Sequence, residues 1–198
     1  MSKVGRKGLA VAVIACGILG LIPGRVGAAP NLVQNGGFET GDFTQWTLIL
    51  NGTDPTTTFV NTLAEAGPPY PAHTGTYEAN FGAVGALADI TQPIATTPNQ
   101  QYLVDYFVFS DGGLPNELTA SFAGVAGPDL VSIPQQGYTE YSFTVTASGA
   151  SSILQFGGRN DQGYLLLDDV SVTAVPEPAA LALLCIAGAG LCVRRRRD

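Results

Sequence analysis

Between residues 29 and 174 the sequence predicts an all-β body: a two-sheet antiparallel sandwich of the jelly-roll kind. Three observations predict it. The first is alternation. Tyr141, Phe143 and Val145 fall on one side of an extended chain, and Glu140, Ser142 and Thr144 on the other. Leu118, Ala120 and Phe122 oppose Glu117, Thr119 and Ser121 in the same way. Side chains on a strand repeat every two residues, so this pattern describes a sheet with one wet face. The second is spacing: short β-rich runs recur along the body, separated by Gly, Pro, Asn and Asp. The third is that helix signals are almost absent from the body, and no solenoid or propeller repeat shows.

Residues 1–28 read as a secretory signal peptide. Lys3, Arg6 and Lys7 supply the charged start, 8–22 the apolar stretch, Pro23 and Gly24 the helix break. Val26, Gly27 and Ala28 are the small residues of a cleavage site. Cutting after Ala28 is preferred, and the partners implied are the Sec translocon and signal peptidase. Strands are expected at 32–38, 46–50, 58–60, 76–81, 86–92, 101–110, 117–123, 130–133, 138–146, 152–156 and 164–173. Residues 111–113 and 157–161, both rich in Gly, Asn and Asp, are expected as turns.

The C-terminal stretch 175–198 has three physical parts. Val175 to Pro178 is stiff and extended, because proline fixes its own φ and disfavours helix in the residue before it. Residues 179–193 are uncharged and apolar with no polar face, and Arg194, Arg195, Arg196 and Arg197 follow. As a helix the run would reach about 22 Å, short of the roughly 30 Å hydrocarbon layer. A helix apolar all round must nevertheless be buried, and four arginines suit a cytoplasmic membrane boundary, where their stems can snorkel. A membrane-embedded tail is therefore expected.

Composition narrows the partners. Cys16, Cys185 and Cys192 all lie in the signal and tail, so the body has no cysteine chemistry and no disulfide. Residues 29–175 contain one basic residue, Arg159, against fourteen acidic ones, a net charge of −13. Such a body repels nucleic acid and anionic lipid and favours cations.

Pro176, Glu177 and Pro178, the apolar run and the closing arginines together resemble the PEP-CTERM sorting signal. That resemblance implies a Gram-negative exporter of extracellular polysaccharide and an exosortase that cuts at the tail, leaving the protein at the cell surface, outer envelope or matrix. It covers about the last eighth of the chain and implies no activity for the body. Asn31 to Glu39 with Gly41, Asp42 and Trp46 resembles the first strand of carbohydrate-binding-module jelly rolls, and Tyr164 to Val172 the last. His73 to Tyr77 and Gly157 to Asp161 also look like such bodies. The resemblance implies a galactose-binding-like sandwich whose first and last strands pair, and a structural calcium site.

Residue chemistry bears on that site separately. Asp168 shares parity with Val170 and Val172, so it is expected to point into the core, where an unpaired carboxylate is costly. A hard cation bound by Glu39 and Asp168, with Asp169 in reserve, would relieve it. Backbone amides, or Arg159, would serve as well. Trp46 is expected in the core. Tyr70, Tyr77, Tyr102, Tyr106 and Tyr138 are better placed as sugar-stacking platforms. His73, the sole histidine, lacks a nucleophile elbow and cannot form an ordinary zinc site, so a turn hydrogen bond is its expected role. The resulting expectation is a non-catalytic exported module that associates with extracellular polysaccharide. A matrix protein without a ligand site, or a small hydrolase, is the alternative.

Overall fold

The computed structural model describes residues 29–62 and 71–176. Residues 1–28, expected as a signal peptide, Tyr70, Glu177, Pro178 and the rest of the tail lie outside the described residues. Among the described residues no helix is long and apolar enough to cross a membrane.

Two antiparallel sheets face each other. One has the order β1 (Thr47–Ile49), β4 (Ala88–Ala95), β10 (Ser151–Asn160), β6 (Asn116–Phe122) and β7 (Val125–Ala126), with β8 (Leu130–Val131) also paired to β6. The other has the order β2 (Thr58–Thr62), β3 (Tyr77–Phe81), β11 (Leu165–Ala174), β5 (Gln101–Ser110) and β9 (Gln136–Thr146). Every pairing is antiparallel.

The alternating strands behave as the period-two pattern requires. Leu118 and Phe122 of β6 are fully buried and Ala120 nearly so, against Leu154 and Phe156 of β10. Tyr141, Phe143 and Val145 lie opposite Tyr106, Val104 and Tyr102 of β5, so all six face inward. The sheets meet in aromatic and aliphatic contact, with Tyr106 edge-on to Phe156 at 5.0 Å between ring centroids.

The stretch 31–36 closes one side of the sandwich without forming a strand. Leu32 N–H donates to Val172 O, and Val170 N–H to Gly36 O, so the first segment pairs with the last strand in part. Gln34 N–H donates to Gln92 Oε1 while Gln92 Nε2 donates to Gln34 O, which ties this segment to the other sheet. Trp46 is buried behind it, stacked on Phe38 at 5.8 Å with its Nε1–H donated to Asn35 O.

One turn expectation is overturned. Gly157 to Asn160 continues β10 instead of forming a loop. The glycines there answer to crowding: a Cβ on Gly158 would lie 2.5 Å from the Phe81 ring, and one on Gly157 2.3 Å from Asp89 Oδ1. Glycine inside a strand marks close approach as readily as a break. Residues 111–113 do form a loop, in which Asp111 accepts N–H bonds from Gly113 and Tyr164.

Candidate functional site

The register of β11 decides which side chains meet on the outer face of the five-stranded sheet. Leu165 and Leu167 pair with Ser110 and Val108 and face the core, so Leu166 and Asp168, paired with Phe109 and Phe107, face outward. From Asp168 to Ser171 the chain advances three residues while its partner advances two, from Phe107 to Asp105. The extra residue is a β-bulge, with Asp169 at φ 48°. It returns Val170 and Val172 to the core, so parity with them misplaces Asp168. Asp168 is fully buried, as expected, but on the opposite side of the sheet.

The same logic places Glu78 and Asn80 of β3 outside, since Ala79 pairs with Leu167. A row runs across the sheet from Phe59 through Asn80 and Leu166 to Phe109. The next row contains Asn61 paired to Glu78, and Asp168, Phe107 and Glu140 paired in turn. Rings gather over these rows. His73 stacks on Phe107 at 3.9 Å and lies 5.2 Å from Tyr138; Tyr138 is 5.8 Å from Phe109; Phe59 meets Tyr164 at 5.7 Å.

Carboxylates concentrate beside the rings. Asp168 Oδ2 accepts N–H bonds from His73 at 2.8 Å and Thr74 at 3.3 Å, and Oδ1 accepts from Asp169 N–H at 2.7 Å. Burial nevertheless pushes its pKa up to about 7, with the Asp169 charge adding to the rise. Asp169 takes the Thr74 hydroxyl and the His73 ring Nδ1, each at 2.7 Å. Glu39 Oε1 accepts from Thr76 and Tyr77 N–H at 2.8 and 3.0 Å. That reach needs Gly75 at φ +70°, because a Cβ there would fall 2.2 Å from the same oxygen.

Glu78 is fully buried; its Oε1 lies 3.4 Å from Asn80 Nδ2. Its Oε2, like the Tyr138 hydroxyl, has no hydrogen-bond partner among the described residues. Burial pushes Glu78 up to about 7, and the Asp168 and Glu39 charges push the same way. Burial also raises Tyr138, helped by the charges of Asp168, Glu78 and Asp169.

The expected site residues therefore divide. Glu39, Asp168 and Asp169 come together around Gly37, whose Cβ position would lie 3.5 Å from Asp169 Oδ1, 3.7 Å from Asp168 Oδ1 and 3.8 Å from Glu39 Cγ. Among the described residues, no three His, Asp or Glu side chains are arranged to hold a metal ion. Oxygen-rich, cation-poor surroundings are nonetheless the chemistry a hard divalent ion takes. Arg159 stays on the other sheet, 3.6 Å from Glu117 and 3.9 Å from Asp161, and is no partner for Asp168. His73 bonds across the fold and not within a turn: its N–H reaches Asp168, its Nδ1 reaches Asp169, and its ring stacks on Phe107. Of the tyrosine platforms, Tyr102 and Tyr106 are core residues, Tyr77 packs against the core, and Tyr138 stands on the outer face. Phe59, Phe107, Phe109, Tyr164 and Glu78 were not singled out from sequence. The available signal was β5 itself, where Leu103, Phe107 and Phe109 make the supposedly wet side apolar too.

Solved structures identify the fold of this body. TmCBM61, solved with β-1,4-galactotriose, matches with TM-score 0.56 at 18% identity over 74% of this chain and 100% of its own. The CBM22-1 xylan-binding domain of Paenibacillus barcinonensis Xyn10C matches with TM-score 0.54 at 15% identity over 76% of this chain and 98% of its own. The K3 adhesin domain of Lys-gingipain from Porphyromonas gingivalis gives 0.50 at 18% identity over 71% and 98%. The body thus has the β-sandwich fold of carbohydrate-binding modules. Residues 174–197 match the PEP-CTERM protein-sorting motif, which takes in Pro176, Glu177, Pro178 and Arg194 to Arg197. It marks the chain as exported and membrane-passing, of Gram-negative type, and implies processing by exosortase. No curated protein matched the chain.

Proposed function

We propose that this is an exported, non-catalytic module that associates with extracellular polysaccharide through the outer face of its five-stranded sheet. In this reading residues 1–28 are removed after Ala28 by signal peptidase, following passage through the Sec translocon. The run 179–193 holds the precursor in the inner membrane until exosortase acts at Pro176, Glu177 and Pro178. One observation carries the ligand reading: the rings of Phe107, Phe109 and Tyr138 gather, half-buried, on one outer sheet face. Aromatic faces suit the apolar face of a pyranose ring. The neighbours solved with β-1,4-galactotriose or named for xylan binding support the choice of ligand class.

Affinity electrophoresis of the processed protein against β-1,4-galactan, xylan and its producer's own exopolysaccharide tests this. Retardation by at least one is expected. Tyr138→Ala and Phe107→Ala should each weaken it about tenfold, a loss of about 1.4 kcal/mol of ring contact. Thr91→Ala, on the outer face of the other sheet, should leave it unchanged. No retardation by any of the three would favour a matrix protein without a ligand site.

A small glycoside hydrolase of the usual kind needs two working carboxyl groups. Glu78 and Asp168 share a face, but three N–H donors occupy Asp168, which leaves Glu78 as the one with an unpaired oxygen. That supports binding over catalysis. Calcium held by Glu39 and Asp168, with Asp169 in reserve, is proposed as a structural cofactor only.

A further inference from the structure

The sandwich is electrically lopsided along its strands. One pole is formed by the turns 96–100 and 147–150, the hairpin turn 123–124, and the two places where the chain enters and leaves the fold. Thr96 N–H donates to Ala150 O, Asn99 N–H to Ala147 O and Ala147 N–H to Gln100 O, so the two longer turns are joined. Val175 N–H donates to Gln101 O, and Gln100 Nε2 donates to Val175 O at 2.7 Å, which anchors the last residue before the Pro-Glu-Pro sequence. Leu32 N–H, bonded to Val172 O, brings residues 29–31 to the same end.

Residues 29–31, 96–101, 123–126, 146–151 and 173–176 include no Asp, Glu, Lys, Arg or His. At the opposite pole stand Asp111, Glu117, Arg159 and Asp161. In a body of net charge −13, an end whose folded residues carry no charge, with Glu177 following in the linker, is a distribution to explain.

The tail explains it. Val175 is fixed to the sandwich, and the apolar run begins at Ala179. Four residue steps reach at most roughly 14 Å even when fully extended. The headgroup layer itself is about 5–7 Å thick on each side of the hydrocarbon. Once the run is inserted, this end of the sandwich stands at most about 7–9 Å beyond the headgroups, about a Debye length. Carboxylates there would face anionic headgroups within a Debye length.

We infer that the charge-free pole is the membrane-facing surface of the precursor, seated on the lipid headgroups of the bilayer that holds the tail. This rests on the membrane reading of 179–193 given above. Pro98, Asn99, Ser148 and Ala150 are the exposed residues that meet the headgroups. The acidic outer part is held away from them. Close seating also presents the cleavage motif at a fixed height above the membrane, set by the Gln100 hydrogen bond to Val175.

The test uses the precursor from Ala29 to Asp198, with Cys185 and Cys192 each changed to Ser. One fluorophore-bearing cysteine is placed by Ser148→Cys, or by Val84→Cys near the far pole. The protein is reconstituted in phosphatidylethanolamine–phosphatidylglycerol vesicles carrying a headgroup quencher. Quenching at position 148 is expected to exceed that at 84 several-fold. Adding Asn99→Asp and Ala150→Asp should cut it by about half at low salt, with recovery at high salt. Equal quenching at both positions, in vesicles that float with the protein, overturns the seating and leaves the tail reading intact. Failure to float with vesicles removes both. Shielding of position 148 that requires co-reconstituted sorting enzyme would make that enzyme the occupant and overturn the lipid assignment.

Discussion

Glu78 is a carboxyl group kept from water with one oxygen unpaired, in reach of the charges of Asp168 and Glu39. Its folded pKa stands near 7, above the ordinary 4.5, so the folded state holds the proton more tightly than the unfolded chain does. The sign follows. Below pH 4.5 both states are protonated and Glu78 costs the fold nothing through ionisation. Between about 4.5 and 7 the unfolded chain ionises first, stability falls as pH rises, and above about 7 the loss is complete. At about 1.4 kcal/mol per pKa unit, the ceiling is about 3 kcal/mol. Glu78→Gln keeps the shape and abolishes the charge. Urea unfolding in chelator should show it stabilising the protein by about 1–3 kcal/mol at pH 8 and by little at pH 4. Equal effects at the two pH values would show that the charge is not what Glu78 costs the fold.

Strand β10 shows how far an element can be read from its own letters. Its turn-like Gly157 and Gly158 look like a break, yet they are strand residues made small by Phe81 on one side and by Asp89 and Thr119 on the other. Gly158→Ala would put a methyl 2.5 Å from Phe81 Cγ and 2.8 Å from its Cβ, and overpacking of this kind costs about 1–3 kcal/mol. At Gly137, in β9, a methyl would meet nothing within 4 Å, so Gly137→Ala should shift stability by less than about 1 kcal/mol in either direction. Thermal unfolding of the two variants side by side decides it. A harmless Gly158→Ala would mean that Phe81 yields. The alternating strands β6 and β9 were legible because each carries its face assignment within itself. The outer-face site was not. Asp168 and Glu39 could be chosen by residue type, and Tyr138 by chemistry, but which side Asp168 takes depends on one extra residue near Asp169. Phe59, Phe107 and Glu78 meet only through the registers of four strands, which no single segment encodes.

At the scale of the whole molecule, the acidic cluster is where distant parts of the chain are held together. Glu39 comes from the entering segment, residues 73–77 from the approach to β3, and Asp168 and Asp169 from the final strand. The bonds that join them span 37 to 96 positions of sequence. The body has no disulfide to do this work, and its net charge of −13 opposes compaction. A divalent ion bound by Glu39 and Asp168 would relieve carboxyl repulsion and cross-link entry to exit in one step. Stabilisation by a ligand held a hundredfold above its Kd is about 2.7 kcal/mol. For a domain of this size that is roughly 5–15 °C in Tm. Chelation of the processed protein is therefore expected to lower Tm by that order, calcium to restore it more fully than magnesium, and Asp168→Ala to abolish the response. Asp168→Ala also removes three hydrogen bonds, so its baseline Tm falls whether or not a cation binds. The decisive quantity is the difference with and without calcium. An unchanged Tm in the parent protein would mean that the N–H donors around Asp168 suffice and that entry and exit are joined by hydrogen bonds alone.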